Sequence, residues 1–119
     1  MNNLQSIKVP KEYLFVLNQL FEIEQKVRKL QEHNSVQRNI DRLKDFFETE
    51  ALSEGKGLIF YNPIGEKFDE TRTDCVATIS GSGHDNLEII EVIKPVIYLR
   101  YSQTQIIAQK AIVIVQSAK

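Results

Sequence analysis

The run SEGKGLIFYNPIGEKFDETRTDCVATIS, Ser53 to Ser80, is where the chain changes character. Before it, residues 11 to 52 contain neither proline nor glycine and are rich in Leu, Glu, Gln, Lys and Arg, which favour helix. Inside it, Gly55 and Gly57 are expected to end the helical part by taking left-handed conformations. From Leu58 onward the apolar period falls to two. LIFY, CVATIS, LEIIEVI, VIYLRY, QIIA and AIVIV are rich in β-branched and aromatic residues. NPIGEKFDE, GSGHDN, Pro95 and SQT separate them. About six short, mostly antiparallel strands are therefore predicted. Helices first and strands afterwards predict an α+β chain, with a helical dimerisation region over 1–54 and a β-domain over 55–119.

Upstream, Tyr13, Val16, Leu20, Ile23, Val27 and Leu30 step by three and four. That is heptad spacing, the pattern of a helix burying a narrow seam against a partner. Leu14, Phe15, Leu17 and Phe21 widen the apolar face, which suits a bundle. The phase breaks at QEHNS and resumes with Val36, Ile40, Leu43 and Phe47. Two helices over about 11–32 and 35–52 are predicted. Asn34 is a candidate cap for the second, with Gln37 as its capping-box partner. A tight turn and a kink both satisfy the pattern. Two amphipathic helices need another pair to cover their stripes, so a homodimeric four-helix bundle is expected. Its seam would be Val16, Leu20, Ile23, Val27, Leu30, Val36, Ile40, Leu43 and Phe47.

The composition excludes several classes of function. The net charge is −1, and no surplus of Lys and Arg points to a nucleic acid or a membrane surface. A single cysteine, Cys75, rules out an internal disulfide and fits a reducing cytoplasm. No window approaches the length of an apolar transmembrane helix, and MNNLQSIKVPKE lacks an apolar signal core.

Candidate chemistry is sparse. GSGHD, Gly81 to Asp85, lacks the Lys-Ser/Thr ending of a phosphate loop and precedes no helix, so a hairpin turn is expected. His33 and His84 have no second ligand at metal spacing, so neither a metal nor another cofactor is expected. Cys75 fits a small buried hydrophobe better than a nucleophile. Glu66, Asp69, Glu70 and Asp74 cluster on one charged loop, where solvated or backbone-capping carboxylates are expected rather than an acid/base pair. No enzyme is predicted.

The loop itself is unusually ordered in its residue types. Pro63 fixes φ, Gly65 permits a conformation closed to other residues, and Asp69 can accept from backbone N–H groups. Phe68 can then anchor it, by filling the β core or by facing a partner. GLIFYNPIGEKFDETRTDCV, residues 57–76, resembles the start of the β-domain of GrpE-type nucleotide exchange factors, the cochaperones of Hsp70. Gly57, Pro63, Gly65, Glu66, Phe68, Asp69 and Val76 fall at corresponding positions. IIEVIKPVIYL is similar to the family's following strand pair. IIAQKAIVIV is similar to its closing strand, where Ala111, Val113 and Val115 agree. The resemblance spans about residues 11 to 116. Glu70 stands where the family has Pro, Val96-Ile97 where it has Gly-Tyr, and Ile106 and Gln109 where it has two arginines. The long stalk before the family's bundle has no counterpart ahead of Lys11.

The resemblance implies a dimeric cochaperone that docks on the ATPase domain of an Hsp70. It would bind the open nucleotide cleft more tightly than the closed one, so that ADP leaves faster. It implies a contact face of Phe68, Asp69, Glu70, Ile93, Ile106 and Val115. Without the arginines, a dimeric interaction module that no longer exchanges nucleotide is the alternative.

Overall fold

The computed structural model describes residues 9–30 and 35–118. Two helices come first, α1 (Lys11–Lys29) and α2 (Val36–Thr49). Seven strands follow: β1 (Lys56–Tyr61), β2 (Lys67–Phe68), β3 (Cys75–Ser80), β4 (Leu87–Lys94), β5 (Val96–Tyr101), β6 (Thr104–Gln109) and β7 (Ala111–Ser117). The α+β class holds. The strand count is seven rather than six, because Lys67–Phe68 pairs with Leu87 and Glu88 of β4. Four of the five strand pairings are antiparallel, and β3 runs parallel to β7.

The helices form an antiparallel hairpin, which settles the choice between a turn and a kink. Leu17 shares a core with Phe47, and Tyr13 Oη donates to Ala51 O at 3.4 Å. Nearer the tip, Glu24 meets Gln37 and Lys44. Glu12 lies in the first turn of α1 and Lys26, Arg28 and Lys29 in its last, charges that complement the helix dipole. Asn34 and His33 lie outside the described residues. The capping call for Asn34 and Gln37 therefore falls outside the described residues; the Gln37 side-chain N–H donates to Glu24 at 3.0 Å and Asp41 at 3.0 Å.

The strands make two sheets, ordered β1-β5-β6 and β2-β4-β7-β3. Period-two alternation decides which residues face which layer. Along β5, Val96 and Tyr98 meet the larger sheet, through Leu87, Ile89, Val113 and Val115. Ile97 and Leu99 turn the other way, onto Leu17, Phe47 and Leu58. The result is three layers: helices, small sheet, large sheet. The second core crosses the boundary expected at residue 54. β4–β5 and β6–β7 form one long antiparallel ribbon, bent where Pro95 and Lys110 break the strands, so that its halves lie in different sheets.

Two expectations about turns are corrected. Gly81–Asn86 is not a hairpin turn, because β7 lies between β3 and β4; it steps across that strand. Gly57 does not adopt positive φ, unlike Gly55 at 75°. Its requirement is space, since a Cβ there would lie 2.9 Å from the carbonyl carbon of Glu48 and overlap its oxygen. Gly57 is what lets the end of α2 lie on β1.

Candidate functional site

The loop from Tyr61 to Cys75 is built as a rigid unit. Asn62 Oδ1 accepts from Ile64 N–H at 3.1 Å, and Glu66 N–H donates to Pro63 O at 3.1 Å. Gly65 sits at φ 83°, the left-handed region its position demands. Gly65 N–H donates to Ile89 O and Ile89 N–H to Glu66 O, each at 2.9 Å, which stitches the turn to β4. Phe68 packs half-buried against the core between the sheets, so it anchors the loop from inside. Asp69 Oδ1 accepts from Thr71 N–H at 2.9 Å and from its hydroxyl. Those bonds hold the exposed Asp69 carboxyl below its usual range.

Arg72 is the hub that the sequence reading passed over. Its Nε and Nη2 reach the two Asp74 oxygens at 2.7 and 3.2 Å. Nη2 also donates to Glu66 at 2.7 Å and Nη1 to Lys67 O at 2.8 Å. Tyr61 Oη donates to the other Glu66 oxygen. The bonds to Asp74 foremost raise the Arg72 guanidinium further, and the same bonds hold Asp74 below the carboxylate range. The Glu66 carboxylate raises the Tyr61 phenol. Burial, and then the Asp74 charge, pushes the Cys75 thiol up to about 11. The cluster is thus internally paired, with the Asp74 carboxyl favoured as the anion and the Cys75 thiol as the neutral form. Only the spacing Glu66-x5-Arg72-x-Asp74 in the sequence hinted at it.

The residues implied by the resemblance do not converge. Phe68, Asp69 and Glu70 lie together on β2 and the loop after it, with Asp69 and Glu70 exposed. Ile93 is exposed on β4. Ile106 belongs to the other sheet and packs half-buried against the helix-side core. Val115 is fully buried between the sheets, so it offers a partner no surface.

The helical seam divides as well. Leu20, Ile40 and Phe47 are buried within the chain, and Val27 is half-buried. Val16, Ile23 and Leu30 are exposed, from 40% at Val16 to 60% at Leu30, and Val36, Leu43 and Phe46 are exposed on α2. The face of α1 that packs inward is Leu17, Leu20, Phe21 and Glu24, one step round the helix from the heptad line. Glu24, 3% exposed, accepts from Lys44 at 3.2 Å, Gln37 at 3.0 Å and Arg28 at 3.5 Å.

Among the described residues, no three potential metal ligands come together and no buried side-chain polar atom lacks a hydrogen bond. No described helix is long and apolar enough to cross a membrane. Comparison with protein-family models, curated proteins and solved structures finds no match to the chain.

Proposed function

We propose that the chain is a homodimeric protein-binding module. Two helical hairpins close into a four-helix bundle, and each copy carries a β-sheet head that docks on another protein. The observation that carries this reading is the line Val16, Ile23 and Leu30. Three aliphatic residues one heptad apart are exposed on a helix whose other face is already buried. A second copy offers a matching line across a two-fold axis. Sedimentation equilibrium of the full chain tests it. Dimer is expected for the wild type, and monomer for Ile23→Lys combined with Leu43→Lys. A monomeric wild type at tens-of-micromolar concentration removes the reading.

A narrower reading keeps the GrpE-like activity: docking on an Hsp70 ATPase domain in the cytoplasm, with faster ADP release. The rigid loop favours it, because Phe68 is anchored and Asp69 and Glu70 are held at the surface. Ile106 and Val115 favour the module without exchange, since neither joins that surface. Release of labelled ADP from a preloaded Hsp70 separates the two. A tenfold acceleration needs about 1.4 kcal/mol of preference for the open cleft. No acceleration and no complex leaves the interaction module alone.

A further inference from the structure

Strand β6 is the edge of the small sheet; it contains neither charge nor proline to blunt that edge, and a register shift against β5 falls only at its end, where Ala108 is extra between Ile107 and Gln109. Ser102 and Gln103 form a two-residue turn, with Ser102 at φ 56°, so Tyr101 and Thr104 close the hairpin as a hydrogen-bonded pair. Pairing alternates from there as far as Ile107, before the register shift. Thr104 and Ile106 turn their N–H and C=O groups toward β5, whereas Gln105 and Ile107 turn theirs outward. Among the described residues no backbone group meets that outward side.

Beside the edge lies a groove of about 570 Å³, lined by Val9, Leu14, Leu99, Ile106 and Ala108 among others. None of the described side chains that line it is charged. The start of α1 forms the opposite wall. A reciprocal amide pair, Asn18 with Gln109 at 3.0 and 2.9 Å, ties the helix to the end of β6 and so fixes the groove's width. Gln109 is held in turn, because its Nε2 also donates to Pro95 O at 3.0 Å.

We propose that this groove receives an extended, uncharged segment of a partner protein, which adds to β6 as a further strand. Its backbone pairs with Gln105 and Ile107, and alternate aliphatic side chains enter the groove against Leu14 and Val9. The directional edge selects an extended chain over a helix or a small ligand. The neutral lining selects aliphatic side chains, since a charge placed there would be desolvated without a counter-charge. The proposal rests on the chain being a binding module and names the class of partner, but it does not depend on the dimer.

The probe is a fluorescein-labelled peptide, Lys-Thr-Val-Thr-Ile-Thr-Val-Thr-Lys, titrated by anisotropy into the full-length protein. Two further versions are N-methylated, one at the Val and Ile residues and one at the Thr residues between them. Strand addition predicts that one version binds and the other fails, because only one set of N–H groups faces β6. Gln105→Pro removes an outward donor without touching the ladder to β5, and should weaken binding about five- to tenfold. Amide protection at residues 104–109 should rise on adding peptide. No binding at about 0.1 mM peptide overturns the proposal. So does equal binding of both methylated versions, or prior occupation of β6 by residues 1–8 or by a second copy. Sedimentation of the same samples reads the dimer separately, so a failed groove and a failed dimer give different results.

Discussion

The pair formed by Glu24 and Lys44 should respond asymmetrically to removal of its two partners. The Glu24 carboxylate is 3% exposed, whereas Lys44 is 37% exposed and stacks over the Phe60 ring at 5.1 Å. Lys44→Met keeps the aliphatic stem and removes the cation. Among the described residues, it leaves a buried carboxylate held by Gln37 and by Arg28 at 3.5 Å. Stripping one partner from a buried pair costs about 3–5 kcal/mol, and the two remaining donors place this case near about 3 kcal/mol. Glu24→Leu removes the carboxylate instead. Lys44 can then turn to water, and a leucine fits the buried face of Leu17, Leu20 and Phe21. The expected cost is about 1 kcal/mol or less. Urea denaturation at one fixed protein concentration measures both. With a slope of about 1–3 kcal/mol per molar urea, the two midpoints should differ by about 1 M, Lys44→Met the lower. Equal midpoints, or a lower midpoint for Glu24→Leu, would refute the reasoning. The carboxylate would then be holding the hairpin together rather than being tolerated inside it.

Other outcomes follow from single features. Gly57→Ala must push the end of α2 off β1, because the new Cβ meets backbone at Glu48; a loss of about 3 kcal/mol in thermal or urea unfolding is expected. Asp74 is depressed by Arg72, so its stabilisation is present above the unfolded carboxylate value and is lost as pH falls through the lower folded value. Stability should decline below about pH 4, and Asp74→Asn should flatten that decline in pH-dependent unfolding. Cys75, buried and with its thiol pushed up to about 11, should resist iodoacetamide at about pH 8 in the native protein and react once unfolded. Rapid alkylation without unfolding would contradict its burial.

The strands were legible because Val, Ile and Tyr in period two leave few alternatives, and CVATIS and VIYLRY match β3 and β5 residue for residue. β2 was not legible: two residues carry no period, and only their pairing to Leu87 and Glu88 makes them a strand. The parallel partnership of β3 with β7 joins segments far apart in the chain and has no local signal. On α1 the heptad line and the inward face are neighbours on the helix surface. A charged residue at position 24 hid the fact that Leu17, Leu20 and Phe21 continue through it. The loop's Pro63, Gly65 and Asp69 were readable from their backbone chemistry. Arg72 was not, because its three partners come from both sides of it and meet only after the turn has formed.

The order β2-β4-β7-β3 has a kinetic consequence. Strand β7 sits in the interior of the larger sheet, and β3 has no other neighbour there among the described strands. Until β7 inserts, β3 must wait as an unzipped segment, and the chain entropy of that wait is recovered in a single late step. Refolding of the head should therefore be limited by docking of residues 111–117. Substitutions along β7 should slow folding more than equally costly ones in the helices.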